Sequence, residues 1–391
     1  MLLDYPPNMV LKRLLLINYE YPPLGGGAGN ATANLARSLT ALGHEILVLT
    51  SAFRDLPRNE STDGFQIHRV PVVRPRADRA TPFQMLTFMI SASFASLRVA
   101  REFKADAVIA FFGIPCGPIA YFLKCVYRVP YLVSLRGGDV PGFQPYDLKR
   151  YHQLTKPMIV FLWRRACAVV ANSTGLQQLA QRSAPDLTIH TIPNGVDTLR
   201  FSPAAANQTH DGNAIVRLLF VGRLTHQKGL DVLFRALASL PPHTAWCLSV
   251  IGDGDDRTKL ENLARELELD GSIRFEGWCD RNELPRRYQA ADAFVLASRD
   301  EGMSNAVLEA MASGLPVVTT RIAGSEELIR DGHSGILVPP DDVAALGQAL
   351  GKLIADPAWR AELGREARSR MEQEYKWDRV AERYSALITD D

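Results

Sequence analysis

The chain has 391 residues, of which 47% are hydrophobic and 22% charged, and its formal net charge is +1 at pH 7. This composition excludes a disordered or fibrous protein. The chain is longer than a domain with a single hydrophobic core usually is, so two domains are expected. The charge is uneven, with a net +9 over residues 1–205 and −8 over the remainder, which indicates an anionic partner for the first half or else a chance distribution.

The first half repeats a strand, loop and helix scheme. Leu11–Asn18 is an apolar run without alternation, as in a buried parallel strand, and a helix is predicted over Ala31–Leu42. The loop between them, Leu24–Asn30, has three successive glycines that either cradle a phosphate or only form a turn. It matches neither a dinucleotide fingerprint nor a P-loop. Further strands are predicted at Glu45–Thr50, Ala107–Phe112, Tyr131–Leu135 and Ala168–Ala171.

Two uncharged stretches resemble membrane spans in composition. Residues 107–123 are broken by Gly and Pro, which predicts a strand, a turn and a helix. Residues 80–97 contain Thr, Ser, Gln and Pro among the apolar residues. We expect this segment to pack inside the domain; the alternative is an amphipathic helix that lies on a membrane surface.

A reactive constellation is predicted where the strand Tyr131–Leu135 ends. The sequence LRGGDV puts Arg136 and Asp139 at the carboxyl end of a parallel strand, where functional groups of α/β folds gather. The alternative is a modest surface ion pair between these two side chains.

The second half restarts the scheme after a linker predicted near Phe201–Asn213. A strand at Val216–Val221, a Gly-bounded loop and a helix at Leu230–Leu240 lead to strands at Trp246–Ile251, Ile273–Glu276, Ala293–Leu296 and Pro316–Thr319. Two doubly wound α/β domains facing across a cleft are therefore predicted. Their boundaries are 1–205 and 206–375, with a last helix in 376–391 that crosses back to the first domain.

The loop GRLTHQKG at 222–229 places Arg223 and Lys228 before a helix N-terminus. Two cations and a helix dipole suit a diphosphate and can replace the metal ion that many phosphate sites use. A basic pair alone is weak evidence, but it shares its domain with the segment Arg299–Gly314.

In the segment Arg299–Gly314, Glu309 is the only charged residue between Glu301 and Arg321. The pattern predicts a buried helix capped by Ser304 or Asn305 and ended by Gly314. A lone buried carboxylate needs a polar partner, and a helix start suits an anionic or hydroxyl-rich ligand. The alternative is a partly exposed helix with a solvated Glu309.

The five scattered cysteines form no CxxC pair and indicate reduced thiols in a cytosolic protein. The eight histidines show no ligand spacing, so no metal is expected. The N-terminus shows no basic, apolar and small-residue signal arrangement.

Taken in order, the motifs resemble those of the family 4 (group 1) retaining glycosyltransferases of the GT-B fold. They cover nearly the whole chain: PPLGGGAGN, ALGHEILVLT, LRGGD, NGVD at Asn194–Asp197, GRLTHQKG, IGDGDDR, FEGW, the pair Glu301 and Glu309, SGLPVVTT and GILVPP. Each motif is weak alone, but the ordered set is specific.

The resemblance implies roles for individual residues. Arg223 and Lys228 would hold the diphosphate of a nucleotide-sugar, Glu309 the ribose hydroxyls, and Glu301 the sugar hydroxyls. Glycines of the first domain would close over the phosphates from across the cleft. The implied donor-binding set is Gly26, Gly27, Arg223, Lys228, Gly252, Gly254, Trp278, Cys279, Glu301, Gly302, Met303, Ser304, Asn305 and Glu309. The implied catalytic set is Arg136, Asp139 and Glu301.

Two departures from the family pattern matter. Many relatives have a His where Arg136 stands, so a general-base imidazole is not expected here. The loop Glu301–Ser304 reads EGMS rather than EGFG or EGFP, which bears on the donor sugar. In the mechanism that the resemblance implies, the acceptor attacks the face from which the nucleoside diphosphate leaves, and the leaving phosphate takes the proton.

The sequence thus predicts a cytosolic, metal-independent, retaining hexosyltransferase that uses a nucleotide-sugar, with UDP favoured and no nucleic-acid partner. Arg74, Arg76 and Arg79, before the uncharged stretch, suggest a glycan or lipid-linked acceptor and peripheral contact with an anionic inner membrane face, as in polysaccharide or lipopolysaccharide assembly. The alternatives are a GT-B phosphorylase, a small-molecule glycoside synthase and a non-catalytic nucleotide-sugar-binding protein. A nucleotide-sugar epimerase is disfavoured, because the carboxylates and His that it would need are missing.

Overall fold

The structure is a computed structural model that describes residues 10–76, 80–143, 145–204 and 215–389. The chain divides into two compact units. The first contains the residues up to Gly195 and those from Trp377 onward, and the second runs from Val196 to Lys376. Each unit is built on its own sheet of mostly parallel strands.

Within the described residues, the sheet of the first unit has eight strands in the order β3-β4-β2-β1-β5-β6-β7-β8. All neighbours pair in parallel except β3 and β4. The strand order reverses between β1 and β5, so the loops after these two strands leave the sheet side by side. The strands are β1 Arg13–Ile17, β2 Glu45–Ser51, β3 Asn59–Thr62, β4 Phe65–Val70, β5 Ala107–Phe111, β6 Tyr131–Leu135, β7 Ala168–Ala171 and β8 Ile189–Thr191.

Helices cover both faces of this sheet. On one face the second, third and fourth helices of the unit pack over Leu15, Ile17 and Val133; on the other the first and last pack over Leu14 and Leu16. A parallel sheet needs such cover because both of its faces are apolar. The helices are α1 Gly27–Ala41, α2 Pro82–Phe103, α3 Cys116–Tyr127, α4 Pro145–Arg165, α5 Thr174–Gln181 and, at the end of the chain, α13 Trp377–Thr389.

The second unit has a parallel sheet ordered β11-β10-β9-β12-β13-β14 in the part of the chain that the structure describes. This is the doubly wound nucleotide-binding order, with its switch point between β9 and β12. Its strands are β9 Val216–Val221, β10 Trp246–Ile251, β11 Ile273–Gly277, β12 Ala293–Leu296, β13 Val317–Thr320 and β14 Ile336–Val338. Its helices are α6 Leu230–Ala238, α7 Arg257–Glu266, α8 Leu284–Gln289, α9 Asn305–Ala312, α10 Ala323–Leu328, α11 Val343–Ala355 and α12 Pro357–Glu374.

The division between the units falls at Gly195 and Val196, earlier than the predicted boundary at residue 205. Phe201, placed in the predicted linker, is buried in the core of the second unit. Arg368 reinforces this by donating to the carbonyls of Thr198 and Phe201. The rest of the predicted linker, 205–213, lies outside the described residues.

The last helix, α13, belongs to the first unit and packs along α1. Trp377, Val380 and Tyr384 are buried with Leu14 and Leu16 in one hydrophobic cluster. The Tyr384 hydroxyl also lies 2.7 Å from Ser134 Oγ at the end of β6. The helix is therefore part of the first core and not an appendage.

Three predictions need correction. Helix α1 begins at Gly27, inside the glycine loop, and not at Ala31. The sequence analysis predicts none of the strands β3, β4, β8 and β14, and β4 carries polar residues between its buried ones. Arg74 does not face solvent: it is buried, donates to the Tyr19 carbonyl and pairs with Glu20 at 3.8 Å. Arg76 is exposed, and Arg79 lies outside the described residues, so the correction concerns Arg74 alone.

Candidate active site

The switch point of the second sheet brings two loops together. Strands β9 and β12 are neighbours and parallel, so the loops that follow them, 222–229 and 297–304, leave the same edge. The Gln227 side chain donates to the Asp300 carbonyl at 2.7 Å, and Arg299 N–H returns a bond to the Gln227 carbonyl at 2.8 Å. These reciprocal bonds fix the relative position of the two loops.

Across this junction, the Lys228 ammonium donates to Glu301 Oε1 in a short ion pair. Ser298 Oγ donates to the same carboxylate oxygen at 3.1 Å. Both charged side chains are largely shielded from solvent, which strengthens their attraction. The residue predicted to bind the diphosphate, Lys228, and the residue predicted to bind the sugar, Glu301, are therefore adjacent.

Beside the pair, two side chains of the first loop have no protein partner in the described part of the chain. Arg223 is exposed, and its guanidinium makes no hydrogen bond or ion pair. The Thr225 hydroxyl oxygen is buried and lacks a partner. A buried polar atom without a partner is costly, so this loop is suited to an added polar ligand.

Glu309 is buried on α9, and Ser304 caps this helix by accepting from Val307 N–H at 3.4 Å. The Tyr288 hydroxyl donates to Glu309 Oε2 at 3.1 Å, and Arg281 Nη2 lies 3.7 Å from Oε1. Burial raises the pKa of Glu309, and Arg281 and the Tyr288 hydroxyl oppose that rise. The predicted polar partner thus exists within the protein, and the solvated-glutamate alternative is wrong.

Gly252 and Gly254, two glycines of the implied donor-binding set, lie where neighbouring backbones come very close. Gly252 has φ +133°, and a Cβ there would lie 1.9 Å from the Gly222 carbonyl oxygen. A Cβ on Gly254 would lie 2.3 Å from the Leu224 carbonyl oxygen. These positions require glycine for packing, which accounts for them whether or not a ligand binds. Next to them, Trp278 is 74% exposed and Cys279 is partly buried.

The EGMS loop is held by backbone contacts. Gly302 packs its carbonyl against Gly324, where a Cβ would come within 2.3 Å. Met303 is buried in the hydrophobic core of the unit, so this side chain anchors the loop to the core. Asn305 begins helix α9 directly after the Ser304 cap.

In the first unit, Asp139 joins two strand-end loops. Its Oδ2 accepts from Gly113 N–H at 2.8 Å, and its Oδ1 accepts from Arg136 N–H at 2.9 Å and Gly137 N–H at 3.1 Å. Burial raises the pKa of this carboxyl, and the backbone donors oppose the rise. With both oxygens engaged, Asp139 holds the loops after β5 and β6 together.

The Arg136 guanidinium does not pair with Asp139, so the predicted surface ion pair is wrong. It donates to Asn194 Oδ1 at 2.6 Å and lies 4.7 Å above the centre of the Phe111 ring. Its Nε is buried and has no hydrogen-bond partner among the residues that the structure describes, and burial lowers the pKa of the guanidinium. One donor of this buried cation therefore remains available.

His152 on α4 lies beside the loop that follows β6 and is not among the residues predicted from the sequence. His152 is buried, with Nδ1 accepting from Gly142 N–H at 3.3 Å and Nε2 3.0 Å from the Gly138 carbonyl. Both nitrogens therefore bind the loop that follows β6. In the glycine loop of the first unit, a Cβ on Gly26 would meet nothing within 4 Å, unlike the crowded positions Gly252 and Gly254. Helix α1 starts directly after Gly26, at Gly27.

Comparisons with known proteins identify the family of this chain. The family model described as Glycosyltransferase Family 4 matches residues 25–200, and that described as Glycosyl transferases group 1 matches 209–370. A GDP-mannose-dependent alpha-mannosyltransferase of Mycobacterium tuberculosis is 30% identical over 355 residues, covering 85% of this chain and 88% of the relative. The chain belongs to the family 4, group 1 glycosyltransferases. A glycogen synthase of the same organism is 29% identical over 94% of this chain and 92% of its own length.

The fold of this glycosyltransferase is GT-B, with two Rossmann-like units. Sucrose-phosphate synthase from Thermosynechococcus elongatus has the same fold, with a TM-score of 0.84, 22% identity and coverage of 96% of this chain and 98% of that one. Among the described residues, no group of three or more His, Cys, Asp or Glu side chains is arranged to hold a metal ion.

Proposed function

We propose that this glycosyltransferase moves a hexose from a nucleotide-sugar to a hydroxyl of a glycan or lipid-linked acceptor, with retention of configuration and without a metal ion. The observation that carries the proposal is the junction of Lys228 and Glu301 at the switch point. Next to it lie the free guanidinium of Arg223 and the unpartnered Thr225 hydroxyl. Cations at this point neutralise a diphosphate, and a carboxylate beside them accepts sugar hydroxyls.

In the proposed reaction, the acceptor oxygen bonds to the anomeric carbon as the bond from that carbon to the phosphate oxygen breaks. The acceptor's proton passes to the departing diphosphate on the same face, and the nucleoside diphosphate is released. Lys228 and Arg223 stabilise the charge that develops on the diphosphate, which is the main way such a site lowers the barrier. Arg136 is a further candidate catalytic residue, whereas we propose that Asp139 positions loops.

The base of the donor is the least constrained part of the proposal. UDP is the expectation from the family resemblance. GDP is the second candidate, because a relative at 30% identity is named for its dependence on GDP-mannose. The exposed Trp278 beside Gly277 offers an aromatic surface against which either base could stack.

We further propose a cytoplasmic enzyme at the inner face of a membrane, serving polysaccharide or lipopolysaccharide assembly. Two rival functions have direct tests. Phosphate-dependent release of a sugar phosphate from a glycoside would identify a phosphorylase. Nucleotide-sugar binding without turnover in the presence of varied acceptors would identify a binding protein.

Thermal unfolding with UDP, GDP, ADP and their common sugars tests the donor site, using wild type, Lys228→Ala and Glu309→Gln. We expect one nucleotide to raise the unfolding temperature of wild type and to do so much less in both variants. Lys259→Ala, an exposed change on α7, is the matched control. If no nucleotide shifts wild type, the proposed donor site is wrong. Unchanged turnover in EDTA is expected, and its loss would contradict metal independence.

A further inference from the structure

Exposed apolar side chains of this enzyme are concentrated on three helices. Among the described residues, sixteen large hydrophobic side chains are exposed, and ten of them lie on α2, α3 and α4. We call these ten the apolar helical surface: Phe83, Leu86, Ile90, Phe94, Phe122, Val126, Tyr127, Leu154, Met158 and Phe161. Such a concentration is unusual on a soluble protein and marks a binding surface.

The three helices form one continuous layer. They pack on the same face of the first sheet, with α2 against α3 and α3 against α4. The rings of Tyr121 on α3 and Phe161 on α4 meet edge to face with centroids 5.1 Å apart. Outward side chains of neighbouring helices in one layer therefore share one surface.

Helix α2 is apolar on both sides. Phe83, Ile90 and Phe94 follow helical spacing along its outer side, and Phe94 is 75% exposed. Phe88 and Ala92, on the opposite side, are buried in the first core. Residues 80–97 carry no charge, although the outer side of a surface helix is normally charged.

By length and composition, α2 is the one helix in the described residues that could cross a membrane. Of its most apolar 18-residue segment, 28% is buried. The helix is nevertheless a layer of the α/β unit, because Phe88 and Ala92 pack against the sheet. Its outer side is thus available for contact while its inner side is occupied.

Positive charge surrounds the apolar helical surface. Helices α2, α3 and α4 carry eight Lys or Arg against two acidic residues. Arg150 precedes Leu154 by four residues and Arg165 follows Phe161 by four, so both lie in line with the apolar stripe of α4. Lys149, Arg150 and Lys156 are exposed and form no ion pair with any described residue.

We propose that the apolar helical surface docks on an anionic phospholipid membrane. The apolar side chains would enter the boundary between headgroups and acyl chains, and the cations would meet lipid phosphates. Helix α2 is about 33 Å long, which gives an extended contact in the membrane plane. A second copy fits poorly, because two such surfaces would oppose like charges. As a route to a lipid-linked acceptor the inference rests on the proposed function, but the docking itself needs neither nucleotide nor acceptor.

Co-sedimentation with vesicles tests the inference, comparing phosphatidylglycerol mixed with phosphatidylcholine against phosphatidylcholine alone. We expect the full chain to bind the anionic vesicles and to bind neutral ones at least about tenfold more weakly. Phe83→Ser/Phe94→Ser should weaken anionic binding at least about tenfold through lost apolar burial. Arg150→Glu/Arg165→Glu should do the same at low salt and less at high salt.

Matched controls lie in the second unit. Leu199→Ser changes a side chain that is 91% exposed, and Lys259→Glu reverses an exposed charge; both should bind vesicles as wild type does. The inference is overturned if wild type ignores anionic vesicles at low salt or if the patch variants bind normally. It is also overturned if light scattering shows a dimer that Phe83→Ser/Phe94→Ser dissociates. A nucleotide thermal shift without vesicle binding would refute this inference alone. Vesicle binding without a nucleotide thermal shift would refute the donor site alone.

Discussion

Lys228 and Glu301 form an ion pair across the point where the strand order of the second sheet reverses. Lys228 ends a turn after β9, and Glu301 lies in the loop after β12. Each side chain thereby neutralises the charge of the other. A diphosphate that binds Lys228 must compete with this carboxylate, so the two residues are coupled before any chemistry takes place.

Glu301→Gln should separate nucleotide binding from sugar transfer. Because Lys228 loses its competing carboxylate, we expect calorimetry to show the nucleoside diphosphate binding as tightly as to wild type or up to about tenfold more tightly. The transfer rate should fall by about a hundredfold or more, since the proposed charged contact with the sugar would be lost. Glu326→Gln, an exposed acid in the same unit, is the control. Equal losses in binding and rate would mean that Glu301 mainly organises Lys228.

Glu309→Gln should change how stability depends on pH. Burial raises the pKa of Glu309 above its unfolded value of 4.5. At pH values between 4.5 and the raised pKa, the native state therefore holds a proton that the unfolded chain has lost. Wild type should therefore lose stability relative to Glu309→Gln as the pH rises from about 4.5 through the raised pKa. The variant should be the more stable protein at neutral pH while binding nucleotide more weakly. Urea unfolding between pH 4 and pH 8 checks this, and parallel profiles would contradict it.

Much of the scaffold could be predicted because buried parallel strands are short apolar runs. Strand β6, for example, starts and ends at the predicted residues. Pairings between side chains could not be predicted, because Lys228 and Glu301 are 73 positions apart in the sequence and nothing in it indicates their contact. The partners of Glu309 were missed for the same reason, since Tyr288 looks like an ordinary core residue.

Gly252→Ala should destabilise the second unit by about 3 kcal/mol, because its Cβ would collide with the Gly222 carbonyl and its φ is positive. Gly271→Ala is the control, since a Cβ there meets nothing within 4 Å. Chemical denaturation of both variants measures the difference. A small effect at Gly252 would mean that the two backbones can separate.

Asp139→Asn should cost about 1 to 3 kcal/mol of folding stability. The amide oxygen can keep the bonds from Arg136 and Gly137, but the amide nitrogen would then face the Gly113 N–H, donor against donor. Asp186→Asn removes an exposed ion pair with Arg164 and should leave stability nearly unchanged. Denaturant unfolding distinguishes this positioning role, because a purely catalytic Asp139 would lower turnover and leave stability intact.

The return of α13 to the first unit has a consequence for biosynthesis. The second unit is continuous in sequence, so it can fold on the ribosome as soon as its last strand and helices have emerged. The first unit is discontinuous, and its core stays open until Trp377, Val380 and Tyr384 have been translated. The half of the enzyme that is made first is therefore completed last, and until then its sheet face beneath α13 is uncovered and vulnerable to aggregation.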